Sequence, residues 1–337
     1  MRKISAILIV VISIALMFTG CSTDLAIGIL NSSSNKNHQI DATTILDREI
    51  PSSRMSYYNY SKTNSEMALD KIYYFSSSPN DIGEENYENA FTKKYEYRYL
   101  NGDRNASINV RRFMRNNEGD DPKYNAMYYF ICGESYTDLL EGYRSYDVGS
   151  NGSIWNDEFI NYIYDENKRL SEYTDDRNAS YYFKYDDDGL LTARSYDSLD
   201  YDYSYSNFVI ERNDKGKPVT VKRYNEPDFN NCKYLFTYEY DEKTNNLKSE
   251  TKYYIDKDNK ENKRYHAEFL YNDNGSVSEI REERYSKEKE GFINSIKSYE
   301  YDENQNVSQI TTEDDGEYEF VVFEYTANPV AYTNEEF

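Results

Sequence analysis

The residues able to do chemistry are few in kind. Three cysteines (Cys21, Cys132, Cys232) and two histidines (His38, His266) supply the thiols and imidazoles. A hydrolase of the Ser-His-Asp or Cys-His type needs an imidazole held beside its nucleophile. His38 lies in a polar run and His266 in the strand-like segment RYHAEFLY, and neither has a partner motif. His266 therefore reads as a solvent-facing strand residue. No Cys-x-x-Cys or His-Glu-x-x-His spacing for zinc occurs, and the 14 glycines are dispersed, so no loop is built to cradle phosphate. Carboxylates are abundant, with 61 Asp and Glu. A glycosidase needs only two, about 5–5.5 or 6.5–9.5 Å apart, so their number neither suggests nor excludes such a pair. Oxygen ligands suited to calcium cluster around Asp186, Asp188, Asp256 and Asp258, beside Gly189 and Asn259. Acidic residues also favour turns, and neither cluster has the EF-hand spacing or its closing Glu. The expectation is no catalytic residue, no metal and no cofactor, hence no enzyme.

The charge balance narrows the partners. With 39 Lys and Arg, a net charge of -22 and a pI near 4.6, the chain lacks the cation excess that drives nucleic-acid binding through counterion release. Tyrosine, at 39 residues, compensates for scarce aliphatics, because each ring buries about 150–250 Å² while its hydroxyl finds a partner. A β-rich fold on an aromatic core is expected. Most tyrosines belong to that core, and exposed ones suit stacking on sugars or on peptide aromatics.

Residues 1–21 read MRKISAILIVVISIALMFTGC: basic Arg2 and Lys3, an uncharged apolar run from Ile4 to Phe18, then Thr19, Gly20 and Cys21. This is the layout of an export signal, and the run is short for a membrane-spanning helix, which takes about 20 apolar residues. Phe-Thr-Gly-Cys at 18–21 resembles the lipobox of bacterial lipoproteins, with Phe18 where that family usually has Leu. The resemblance implies a diacylglyceryl group on the Cys21 sulfur, cleavage before Cys21, and a membrane partner reached through lipid at the extracytoplasmic face. Two or three acyl chains hold a protein on a bilayer without a spanning helix. An oxidising compartment permits a disulfide, and Cys132 and Cys232 are the candidate pair, but two inert buried thiols are the favoured reading. Residues 22–55 lack hydrophobic periodicity and read as a flexible tether.

The elements that position these residues are strands. Aromatic runs at Tyr57–Tyr58, Tyr73–Phe75, Tyr95–Tyr99 and Tyr128–Phe130 alternate with polar loops, and short helical turns are expected at 64–71 and 135–142. The second half repeats itself. Six anchors, Tyr164, Tyr185, Arg212, Tyr240, Tyr271 and Tyr301, each follow a large apolar or aromatic residue by two positions and precede an Asp or Asn by one. An apolar residue returns six positions after the anchor (seven in the fourth copy), and Gly189, Gly216 and Gly275 stand in the turn of three copies. Residues two apart share a strand face, Asx side chains start tight turns, and glycine supplies positive φ. Each copy is therefore one β-hairpin.

Segments such as YIYDENKRL (162–170), FKYDDDGLL (183–191) and YEYDENQNV (299–307) resemble the YD repeats of the RHS family. In that family the hairpins form a long curling antiparallel sheet that winds into a shell around a toxin or serves as a cell-surface module. The copies here are few and no toxin domain follows, so a partly curled open sheet is expected. The fold class is mainly all-β: a twisted antiparallel sheet of repeated hairpins with minor short helices. The expected organisation is a signal peptide at 1–20, a tether at 21–55, a β-rich region at 56–150 and the repeat region at 151–337. The expected function is a non-enzymatic binding or structural role as a lipid-anchored envelope protein, with an envelope glycan or surface protein as partner. An envelope carbohydrate- or peptide-processing enzyme using a carboxylate pair, and an accessory of an RHS-type toxin system, are the alternatives.

Overall fold

A computed structural model describes residues 68–327 except 84–85, 102–105, 116–120, 133–139, 150, 168, 177–178, 188–190, 199–200 and 226–230. Tyrosine-, valine- and phenylalanine-rich segments suit a pleated, half-buried surface, and they form eighteen strands. These are β1 (Ala68–Phe75), β2 (Lys93–Asn101), β3 (Ala106–Met114), β4 (Lys123–Cys132), β5 (Leu140–Val148), β6 (Ile154–Tyr164), β7 (Leu170–Asp175), β8 (Ser180–Tyr185) and β9 (Leu191–Ser198). They continue as β10 (Tyr201–Arg212), β11 (Pro218–Tyr224), β12 (Cys232–Tyr240), β13 (Leu247–Ile255), β14 (Glu261–Tyr271), β15 (Val277–Ser286), β16 (Gly291–Tyr301), β17 (Val307–Asp314) and β18 (Glu317–Thr326). Every strand pairs antiparallel with the next, and β18 pairs antiparallel with β1 from Ala68↔Thr326 to Phe75↔Phe320. The sheet is a closed barrel.

Closure corrects the expected open sheet. An open meander would leave β1 and β18 as bare edges with unpaired N–H and C=O groups, and both are apolar enough to be driven together: Phe320 to Phe323 are four consecutive buried residues. The boundary drawn at 150/151 falls in the β5–β6 hairpin, and ladder pairing continues across it, Val148↔Ile154. The helical turn expected at 64–71 is also corrected. Its described part, 68–71, is strand, because β18 on one side and β2 on the other take up the backbone bonds. The expected turn at 135–142 gives way from Leu140 onward to β5, and 135–139 lie outside the described residues. One helical turn forms elsewhere, α1 (Tyr87–Ala90).

Inward positions follow the period of two. Tyr95, Tyr97 and Tyr99 of β2 align with Val110 and Ile108 of β3 and with Tyr128 and Phe130 of β4. These belong to one buried cluster that draws on nearly every strand. Leu69, Ile72, Phe130, Val221, Leu247, Val277 and Ile310 have essentially no exposed surface, so the core of the barrel lies along its inner wall. The outward face from β11 to β17 carries residues such as Lys222, His266, Glu268, Arg281, Glu300 and Glu313.

The closing seam has a cover of its own. The connection between β1 and β2 passes through a 3-10 turn, Pro79–Asp81, and α1. Its Tyr87 and Phe91 pack on the outward Tyr73, Phe75, Phe320 and Val322. Phe75 and Phe320 stack across the seam with centroids 4.3 Å apart. β1 and β18 are thereby buried on both faces, which explains why their sequences do not alternate.

Candidate functional site

One rim of the barrel is built by the repeats. The anchors Tyr164, Tyr185, Arg212, Tyr240, Tyr271 and Tyr301 are the last residues of β6, β8, β10, β12, β14 and β16. The Asx after each begins the turn: Asp165 Oδ1 accepts from the N–H of Asn167 and Arg169 (2.9 and 2.8 Å), Asn213 from Lys215 and Lys217, and Asp302 from Asn304 and Asn306. The position of positive φ is Gly216 or Gly275 in two copies, and Asn245 or Gln305 in two others.

The anchor phenols have a shared task. Tyr185, Tyr240, Tyr271 and Tyr301 donate their O–H to the backbone carbonyls of Leu170, Pro218, Leu247 and Val277, at 2.7–2.9 Å. Each acceptor begins the returning strand of the preceding hairpin, so every copy is fastened to its neighbour. Burial pushes the Tyr301 phenol well above its usual value, which keeps the proton on the donor. Arg212 replaces the phenol with an ion pair to Asp186 at 2.6 Å and a bond to the Gly216 carbonyl. Two members of the ladder escaped the repeat pattern: Tyr325 donates to Val307 and Tyr99 to Leu69. Both have the aromatic-x-Tyr spacing but lack the following Asx, and that spacing was the available signal.

The calcium candidates are occupied by this turn chemistry. Asp256 Oδ1 accepts from the N–H of Asp258 and Lys260, and Oδ2 from the Asn262 amide; the Lys260 N–H first, then Asn262, hold its carboxyl below the usual range. Asp186 is engaged by Arg212, and Asp188 lies outside the described residues. Among the described residues no group of three His, Cys, Asp or Glu is arranged for a metal. Asp256 and Asp258 lie at the rim opposite Asp186, so the two acidic clusters are not brought together.

Cys232 is a free thiol whose S–H points to the Tyr234 carbonyl at 3.4 Å, and burial pushes its pKa up. The side chain of Cys132, its candidate bridge partner, lies outside the described residues, as do Cys21 and His38. His266 Nδ1 and Thr251 Oγ1 are 2.8 Å apart on the half-exposed outer face, and Glu268 Oε1 lies 3.9 Å from His266 Nε2.

Two charged networks were not legible from spacing. Inside, Lys297 and Glu282 form an ion pair at 3.0 Å with side chains 5% and 7% exposed, and Tyr265 donates to the other carboxylate oxygen at 2.8 Å. Arg284 pairs with Asp314 on the same wall. Outside, Glu88 of α1 receives Tyr73 O–H at 2.7 Å, Lys71 at 3.0 Å and Lys94 at 2.9 Å. Burial would raise the Glu88 carboxyl, but these three donors outweigh it and hold it at about 2. Burial, with Glu88 and Glu324 nearby, pushes the Tyr73 phenol far above its usual range. These contacts bind the cover to the seam.

No protein-family model and no curated protein matches the chain. Solved structures similar to it include the TcdB2-TccC3 complex, at TM-score 0.34 and 11% identity over 69% of this chain and 15% of that one. The Photorhabdus luminescens Tc holotoxin pore matches at 0.31 and 11%, over 69% and 14%. A porin-like protein from Bacteroides uniformis matches at 0.37 and 8%, over 76% and 96%. The chain spans about a seventh of the toxin chains' length, and likenesses at these scores do not bear on what it does.

Proposed function

We propose that the chain is a membrane-anchored extracytoplasmic lipoprotein whose barrel serves, without catalysis, as a binding or structural module. The observation that carries this reading is the polarity of the wall. A barrel that crosses a membrane turns an apolar band to lipid and a polar face to its lumen. Here the inner wall is built mainly of buried rings and aliphatic side chains, with its charges paired internally as Lys297–Glu282 and Arg284–Asp314, and the outer wall carries Lys222, Glu268, Arg281 and Glu313. Each Lys or Arg facing the bilayer midplane would cost about 2–4 kcal/mol and each Glu somewhat less, so this barrel belongs in water, and membrane attachment falls to Cys21. Mass spectrometry of the amino-terminal peptide, with membrane fractionation of wild type and Cys21→Ala, tests the reading. Acylated Cys21 and release of the variant into the soluble fraction are expected; an unmodified Cys21 together with membrane retention of Cys21→Ala defeats it.

A further inference from the structure

At the rim opposite the anchors, cations and rings alternate from β12 to β16. The Lys233 ammonium lies 4.7 Å from the Tyr254 ring centroid and donates to its hydroxyl at 3.1 Å. The Arg264 guanidinium stands 5.5 Å from the Tyr254 ring and 4.5 Å from that of Tyr285. Tyr285 meets Phe292 edge-on at 5.8 Å, and the Lys263 ammonium lies 5.0 Å from Phe292, which is 43% exposed. Two bulges build the stripe. Register shifts leave Lys233 unmatched opposite β11 and Arg264 unmatched opposite β13, and a bulge re-aims the side chain it carries. Lys263 is paired with Glu283 at 2.6 Å, whereas Lys233 and Arg264 have no carboxylate partner among the described residues. In a chain with 61 acids and 39 bases, two cations left to aromatic rings are available to an outside anion.

We propose that this stripe binds an acidic polysaccharide of the envelope. Its carboxylate or phosphate groups pair with Lys233 and Arg264, and its pyranose faces lie on Tyr285 and Phe292. A peptide would need a strand edge or a groove, and a closed barrel has no free edge; a row that crosses the rim, from Tyr254 on the inward side through Arg264 to Tyr285 and Phe292 on the outward side, instead suits an extended sugar chain. The proposal rests on the extracytoplasmic display argued above. The chain enters the barrel at Ala68 on the anchor rim, so the stripe lies at the end opposite that entry.

Calorimetric titration of the full-length lipoprotein in detergent micelles tests it, with polygalacturonate, poly(glycerol phosphate), neutral dextran and polyglutamate as probes. Binding of either anionic glycan is expected, at least tenfold tighter than dextran, and which one binds identifies carboxylate or phosphate as the recognised group. Arg264→Gln and Lys233→Gln each weaken it at least tenfold, and Tyr285→Leu weakens it several-fold at unchanged melting temperature. Phe292→Ser, at an exposed site, replaces any variant that fails to fold. Absence of binding to both anionic glycans overturns the proposal, as does equal binding of polyglutamate with no effect of Tyr285→Leu or Phe292→Ser. Acylation of Cys21 is read in the same preparations, so failure of the glycan site is distinguishable from failure of the anchor.

Discussion

Replacing Tyr301 by Phe isolates the bond that joins neighbouring repeats. The variant keeps the ring and removes one hydroxyl, which donates to the Val277 carbonyl at 2.7 Å. A neutral hydrogen bond contributes about 1 kcal/mol net, and a buried acceptor left without its donor adds to that. The expected loss is about 1–2 kcal/mol, or about 2–8 °C in melting temperature for a barrel of this size. Differential scanning calorimetry and urea unfolding measure it, with Tyr182→Phe as control, since Tyr182 is exposed on the outer face and its change is expected within about 0.5 kcal/mol. Tyr271 donates to a different carbonyl, that of Leu247, so the double variant is expected to add to within about 0.5 kcal/mol. If Tyr301→Phe is no more harmful than Tyr182→Phe, the phenol ladder is not what fastens the repeats.

Gln305 has φ 64° where two other copies have glycine, so Gln305→Gly is expected to relieve about 1–2 kcal/mol of backbone strain, less the bond that Asn274 donates to the Gln305 side chain. Gly216→Ala is expected to cost at least about 1 kcal/mol, although a Cβ there meets nothing within 4 Å, because the penalty is backbone strain at φ +76°; thermal melts read both. Lys297→Met leaves Glu282 buried without its cation and is expected to cost about 3–5 kcal/mol, most of it recovered in Glu282→Gln/Lys297→Met; recovery is read by urea unfolding. Glu88 is held at about 2 in the folded state against 4.5, so its contribution is fully present above pH 4.5 and is lost as pH falls toward 2. Burial raises Glu324, so its protonation works the other way, favouring the folded state as pH falls. Protection factors for amide exchange at residues 87–91 are expected to fall between pH 4.5 and 2 in wild type, and to be low already at neutral pH in Glu88→Gln.

Local signals carried far in this chain. The Asx-started turns at Asp165, Asn213 and Asp302 and the strands ending at the anchors depend on residues within about ten positions of one another, and that information lies in the sequence itself. The role of the anchor phenol was less accessible. Its acceptor sits on the previous hairpin, 15 residues back from Tyr185 and 24 from Tyr301, and only pairing sets that distance.

The chain's own pattern determined an aromatic, antiparallel hairpin array: period-two alternation and turn chemistry are short-range and need no knowledge of the rest. Tertiary structure decided whether the array closes. Closure sets β1 against β18, joining residues as far apart as Tyr73 and Glu324, 251 positions in sequence, and it depends on the accumulated twist and stagger of all the intervening strands. Closure also decided which face is buried, which seam needed a cover, and which charges came to lie inside.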